Sequence, residues 1–375
     1  MVTHNEDGTY TIEKEGQRPI NTKNYKQLSE DQYTYLLSRF KSKPDFEKVV
    51  YDINGIEMGQ LVYPNINNYY FFDLQAKVLL KHNRFTIEQV FNDIELLSIF
   101  YGKISINDSF FTSDDMYDNI LAAMRTAGRP YCSKPSNFPI DVVDDILKKY
   151  NVNNNYYDPS CGWGDRLLSS IRNNVNYYGT DPNYLLCDRL NNLVNDYKSA
   201  TLKNMPHIEI NCQGSEIFIP KYHNSMGLAF TSPPYFDLED YGVGDQSFKE
   251  GTSYDMWLNG FMKDTMINCY DYLIDDGYYG INIKNFDNLT LEEDCVRLAE
   301  EIGFKLFCVE ELHNISRVAG ASNRQVKKLL NTNERIYMFK KDSTNLRKYH
   351  MISNDTETVV QFAQKIYKVK KKKLF

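Results

Sequence analysis

The chain has 375 residues, 42% hydrophobic and 25% charged, the make-up of a soluble globular protein with room for two domains. No run approaches the ~20 apolar residues that span a bilayer, and the N-terminus lacks the basic-then-apolar pattern of a signal peptide. The net charge of -7 argues against a uniformly nucleic-acid-binding surface but leaves room for local basic patches. The seven cysteines form no C-x-x-C pair and no zinc spacing, so the expectation is reduced thiols in a cytosol, and no metal site.

Residues 1–130 carry no recognisable motif. Patterning predicts helices over Ser29–Lys41, Thr86–Tyr101 and Asp114–Ala127, with aromatics interleaved at Tyr69, Tyr70, Phe71 and Phe72. The expectation is a mainly helical accessory region, ended by the Gly128-Arg129-Pro130 break. From 131 to 341 strands and helices alternate. Helices are predicted over Asp141–Tyr150, Gly164–Asn173, Leu185–Tyr197, Tyr254–Leu273 and Leu291–Ile302. Strands are predicted over Asn155–Tyr157, Asn176–Gly179, His207–Cys212, Met226–Phe230, Gly277–Ile283, Phe304–Leu312 and Arg335–Lys340. This alternation implies an α/β fold: a mostly parallel seven-stranded sheet with an antiparallel hairpin at one edge. Residues 342–375 form a basic tail, with six lysines between Lys365 and Lys373. The wealth of Asn, Lys, Tyr and Ile fits AT-rich coding, as in a phage, virus or low-GC bacterium.

Two segments carry chemistry. The first is Asp158-Pro159-Ser160-Cys161-Gly162-Trp163-Gly164, between the first strand and its helix. Gly162 and Gly164 allow close backbone approach, and the helix N-terminus offers free N–H groups. Position 167 is Leu, so the third glycine of a dinucleotide fingerprint is missing, and the leading acid repels a phosphate. Asp181, at the end of the second strand and about twenty residues on, suits ribose hydroxyls. Acid, Gly-x-Gly and second acid together suit a nucleoside that carries an amino acid; S-adenosylmethionine meets that description. The second segment is Thr231-Ser232-Pro233-Pro234-Tyr235, after the fourth strand. Its two prolines stiffen the exit from the sheet and leave a hydroxyl, carbonyls and a flat ring in one rigid turn.

These segments resemble the S-adenosylmethionine-dependent methyltransferases that act on exocyclic amino groups of DNA, at cytosine N4 or adenine N6. Asp158 to Gly164 is similar to the family's D-P-F-x-G-x-G loop, with Ser160 in place of Phe and Trp163 available to cover the cofactor instead. Ser133-Lys134-Pro135 resembles the Q-K-P segment that precedes that loop. Thr231 to Tyr235 matches the (D/N/S)-P-P-(Y/F) catalytic motif. The resemblance covers about residues 130–341 and implies a Rossmann-like methyltransferase. It places Lys134, Pro135, Asp158, Ser160, Cys161, Gly162, Trp163, Gly164, Asp181 and Thr231 around the cofactor, with Asp158 and Gly162 at its methionine end. Ser215 or Glu216 would serve the adenine, where the family more often has Asp. Ser232, Pro233, Pro234 and Tyr235 would form the catalytic turn: the Ser232 hydroxyl and the Pro233 carbonyl accept from the target amino group, and Tyr235 stacks on the base.

The implied partner is double-stranded DNA with one base flipped out. Ser232 tilts the choice to cytosine N4, with adenine N6 as the alternative. The rival readings are an RNA or nucleotide amino-methyltransferase and a non-catalytic nucleic-acid-binding protein of this fold. Carbon-5 methylation is disfavoured, because no Pro-Cys dipeptide is present. DNA contacts would come from residues 1–130, from the insertion 313–333 with Arg317, Arg324, Lys327 and Lys328, or from the acidic loop 236–253, which is expected to close over the base.

Overall fold

The computed structural model describes residues 1–60, 62–106, 115–127, 131–201, 204–248, 251–311 and 334–341. The expected boundary at 128–130, the basic insertion and the basic tail lie outside these residues.

The α/β sheet is as the alternation implies. Its strands are β5 (Asn155–Asp158), β6 (Asn176–Asp181), β7 (Ile208–Cys212), β8 (Met226–Thr231), β10 (Leu273–Ile283), β11 (Phe304–Glu311) and β12 (Arg335–Lys341), in the order β11-β12-β10-β8-β5-β6-β7. Strands β5 to β8 and β10 are parallel. Only β12 runs against its neighbours, slotted between β10 and the edge strand β11. The chain winds outward from β5 through β6 to β7, then returns to β8 on the other side of β5. The topological switch point, where open α/β sheets hold ligands, is therefore the β5/β8 boundary.

The central strands are unusual in burying tyrosines where parallel sheets commonly bury Val or Ile. A buried phenol needs a partner. Tyr156 donates to the Phe230 carbonyl at 2.8 Å, Tyr177 donates to Asp158 at 2.9 Å, and Tyr157 shares a 3.0 Å bond with Thr180. These bonds pin the carboxyl ends of β5, β6 and β8 to one another, at the edge from which both motifs emerge.

One face of the sheet packs under α8 (Ile140–Tyr150), α9 (Asp165–Arg172) and α10 (Tyr184–Ala200). The same core takes in Val49, Ile53 and Ile56 of α2 (Phe46–Glu57) and Ile66 and Tyr70 of α3 (Pro64–Tyr70). The other face packs under α11 (Tyr254–Trp257), α12 (Lys263–Tyr272), a π-helical turn Leu258–Met262 between them, and α13 (Leu291–Ile302). No helix among the described residues is long and apolar enough to cross a membrane.

The N-terminal region has its own core, built on α1 (Glu30–Lys41), α5 (Ile87–Phe91), α6 (Ile94–Ile106) and α7 (Met116–Ala127). Helix α1 starts at a capping box of Ser29 and Gln32, within one residue of the expected start. The single helix expected over Thr86–Tyr101 is two. A capping box of Thr86 and Gln89 opens the first, and Asp93 accepts from the Glu95 and Leu96 N–H groups to open the second. A three-stranded antiparallel sheet, β1 (Val2–His4), β2 (Tyr10–Ile12) and β3 (Ile20–Thr22), was not expected in a helical region. Its strands are three residues long, too short for an alternating pattern to register.

Candidate active site

The two motifs leave adjacent strands. Tyr157 of β5 pairs with Ala229 of β8, so Asp158 and Phe230 end side by side at the switch point. The loop after β5 turns through Gly162 (φ 56°) and Gly164 (φ 79°) into α9. Gly164 is constrained twice: a Cβ there would lie 3.1 Å from Leu190 Cδ2 and 3.2 Å from Phe71 Cζ. Gly164→Ala is therefore expected to destabilise the fold by about 2–4 kcal/mol, the sum of left-handed strain and overpacking. Urea unfolding would measure it, and a loss under ~1 kcal/mol would show that the loop relaxes freely.

Asp158 is not open to a ligand. It is fully buried, and its carboxylate accepts from Arg166 Nε at 2.8 Å, Tyr177 at 2.9 Å and the Ser160 N–H at 3.2 Å. The sequence reading sets Asp158 at the cofactor's methionine end; in the structure its carboxylate is the counter-ion of Arg166. Burial works against the Arg166 charge, but the charge and hydrogen bond of Asp158, together with Tyr156 and Tyr177, hold the guanidinium more firmly protonated than usual. Arg166 also donates to the Ser160 carbonyl and lies 5.7 Å from the Phe138 ring centre. It braces the loop from beneath. Cys161 is buried, and its N–H donates to the Thr180 carbonyl at 3.1 Å, which ties the loop to β6.

Asp181 behaves differently. Its carboxylate accepts only from backbone, the Asn183 N–H at 3.0 Å and the Gly162 N–H at 3.4 Å, and no cation pairs with it among the described residues. Burial pushes its pKa up to about 6 from an ordinary 3.8. It is the one acid of the constellation with lone pairs to spare for hydroxyl donors. Because the folded pKa is raised, this group stabilises the ligand-free fold only at low pH, and that contribution is lost as pH rises from near 4 through about 6. A ligand whose hydroxyls donate to the carboxylate would run the opposite way: its affinity is expected to be full well above about 6 and to fall as Asp181 protonates. Cofactor titrations from pH 5 to 8 would check this; affinity flat across that range would remove Asp181 from the site.

The Lys-Pro segment reaches the same place. Ser133 accepts from Asn83 at 2.8 Å, Lys134 Nζ lies 6.0 Å from the Phe72 ring centre, and Pro135 is buried. Phe138 packs edge-on against Phe230, at 5.8 Å between centres. Asn137 and the Phe138 N–H both bond Asp165 at the start of α9, as does Tyr63. Segment, loop and Ser-Pro-Pro-Tyr turn are thus brought together through Phe138 and Arg166.

In the turn itself, Thr231 is buried at the end of β8 with its hydroxyl unpartnered, and Ser232 is half-buried. Ser232 Oγ accepts from Asn282 Nδ2 at 3.2 Å. Tyr235 is half-buried, its ring near-parallel to Phe286 at 6.2 Å, and its hydroxyl donates to the Asn282 carbonyl at 3.2 Å. Ser215 does not face this space as expected. It is buried with its hydroxyl on Thr265 at 2.8 Å and its carbonyl on Asn268 at 2.8 Å, fastening the loop to α12, while Glu216 is exposed.

The acidic loop after the turn folds back over the Gly-x-Gly loop. Its short strand β9 (Glu239–Asp240) pairs with β4 (Leu79–Leu80) of the N-terminal region. Lys81 bonds Asp237 at 2.7 Å and Asp287 at 3.2 Å. The Val243 carbonyl accepts from Asn183, and Tyr241 packs on Trp163 at 5.9 Å. Trp163 in turn meets Phe71 at 6.5 Å. Glu239 is spent inside the loop: burial raises its carboxyl, Tyr241 donates to it, and the Glu334 charge raises it further.

Arg166, Asn282 and Tyr241 were not singled out from sequence. Arg166 carried a signal, a cation at the start of a helix eight residues past an acid. So did Asn282, a lone amide between Ile281 and Ile283 in a buried strand. Among the described residues, no group of three or more His, Cys, Asp or Glu is placed to hold a metal ion.

No protein-family model matches the chain, and no curated protein is significantly similar to it. Solved structures do align. A TehB-like SAM-dependent methyltransferase from Corynebacterium glutamicum matches at 12% identity over 55% of this chain and 89% of that one, with a TM-score of 0.35. A methyltransferase from Pyrococcus furiosus matches at 12% identity over 59% and 92%, with a TM-score of 0.38. TrmN from Thermus thermophilus matches at 12% over 59% and 53%, with a TM-score of 0.37. Superposition this loose adds nothing to what the strand order itself establishes.

Proposed function

We propose that the chain is an S-adenosylmethionine-dependent DNA methyltransferase acting on an exocyclic amino group of a flipped base, with cytosine N4 favoured over adenine N6. The observation that carries the reading is the meeting of a Gly-x-Gly loop and a Ser-Pro-Pro-Tyr turn on the adjacent strands β5 and β8. Asp181, at the end of the next strand, has acceptor capacity for ribose hydroxyls. Leu167, where a dinucleotide fold needs its third glycine, is fully buried core, which disfavours a pyrophosphate site.

Bound S-adenosylmethionine supplies an electrophilic methyl on a sulfonium: the amino nitrogen's lone pair forms the new N–C bond, the C–S pair returns to sulfur, and one N–H proton passes to water. The chain's part is to make that lone pair available. In the free base it is delocalised into the ring. Ser232 Oγ and the Pro233 carbonyl accept its two N–H bonds and turn the lone pair toward the methyl group. The two prolines hold both acceptors rigid, so little orientation is lost on reaching the transition state. The half-buried Tyr235 ring offers a stacking face, and stacking returns ~1–3 kcal/mol per base against the cost of flipping. The acidic loop covers the cofactor loop, and phosphate contacts fall to the basic segments beyond the described residues.

Calorimetry with S-adenosylmethionine tests the reading at its base. Micromolar or tighter binding, weakened by Asp181→Ala, is expected. No heat of binding at millimolar cofactor would remove the methyltransferase reading.

A further inference from the structure

We propose that Asn282 is a positioning residue for methyl transfer, holding Ser232 as an acceptor and coupling it to the Glu334 carboxylate. The proposal rests on amino-methylation at Ser232 and deepens that reading. Strand β10 pairs with β8 in a register that sets Ile281 opposite Thr231, so Asn282 and Ser232 leave the ladder together. Asn282 is 1% exposed, between Ile281 and Ile283, both fully buried. An amide in such a strand is costly unless bonded.

Its bonds converge on the catalytic turn. Nδ2 lies 3.2 Å from Ser232 Oγ, 3.4 Å from Tyr235 Oη and 3.4 Å from Glu334 Oε2. Its backbone carbonyl takes the Tyr235 hydroxyl. Oδ1 is buried without a partner. Glu334 can only accept as a carboxylate, so it dictates which end of the amide faces the turn. The amide is therefore oriented for its donors, at the expense of its acceptor.

Ser232 Oγ, once it accepts from Asn282, keeps one lone pair and one proton, and its side chain no longer rotates freely. That lone pair is what the target amino group requires. Ser232 is neutral and cannot itself answer the positive charge that grows on the nitrogen during transfer. Glu334, one amide away, supplies negative charge in a partly dry site where such charge counts for more than in water.

The test is a double-mutant cycle, read as methyl transfer from tritiated S-adenosylmethionine to unmodified duplex DNA, with cofactor affinity by calorimetry. Asn282→Ala is expected to lower kcat by about 10–100-fold and to leave cofactor affinity within about twofold. In a Ser232→Ala background the same change is expected to cost less than about threefold, because its route to the reaction is already gone. Glu334→Gln keeps shape and an accepting oxygen and removes only charge; it is expected to lower kcat about 3–10-fold at unchanged KM, and it carries the test if Asn282→Ala fails to fold. Multiplicative effects of Asn282→Ala and Ser232→Ala, a parallel fall in cofactor affinity, or a wild-type rate for Glu334→Gln would overturn the proposal. A wild-type chain that binds the cofactor but transfers no methyl to DNA would instead sink the functional reading, and this proposal with it.

Discussion

Replacing Ser232 by alanine is expected to lower kcat by about 10²–10³-fold, the usual cost of one preorganised polar group at a reacting centre. Cofactor affinity should stay within about twofold, because the turn and the Asp181 pocket belong to different strands, β8 and β6. The fold should hardly notice: Ser232 is half-buried, and its hydroxyl oxygen takes a single 3.2 Å bond from Asn282 Nδ2 among the described residues. Single-turnover kinetics with labelled cofactor would separate the two effects. A variant that loses cofactor affinity in step with rate would place Ser232 at the cofactor instead of at the base.

The second large effect is on stability. Asp158→Ala leaves the buried Arg166 guanidinium without its counter-ion, and breaking such a pair from one side costs about 3–5 kcal/mol. Tyr177 loses its acceptor as well. A fall in Tm on the order of 10 °C is expected from thermal unfolding of the ligand-free chain. If Asp158 were chiefly a ligand for the methionine ammonium, the variant would keep its Tm and lose only affinity. Asp181→Asn should move the other way: removing a buried, unpaired charge raises ligand-free stability at pH 7 by about 1–2 kcal/mol while weakening the cofactor. Opposite signs for two acids of one constellation follow from their partners, a guanidinium for one and backbone N–H groups for the other.

That contrast marks how far the sequence could be read. The alternation from 131 to 341 yielded every strand of the large sheet, because apolar runs bounded by Gly, Asn and Asp are a local signal. The two motifs and Asp181 were legible for the same reason, each being a short run at the end of a strand. What stayed hidden was pairing across distance. That Asp158 is spent on Arg166 depends on a side chain folding back under its own loop. That Ser215 turns to Thr265, 50 residues away, depends on how α12 docks. That β9 pairs with β4 across 159 positions is a two-residue contact with no pattern to show. Asn282 was visible as an oddity, but its purpose needed the β8–β10 register.

The turn at Ser232 is proposed to deliver a methyl group to an exocyclic amino nitrogen of a DNA base. Nucleoside mass spectrometry of unmodified DNA incubated with the chain and methyl-labelled S-adenosylmethionine tests it most directly. Label is expected in N4-methylcytosine, or in N6-methyladenine if Ser232 serves the larger ring. Label at cytosine carbon-5, or label in RNA with none in DNA, would contradict it.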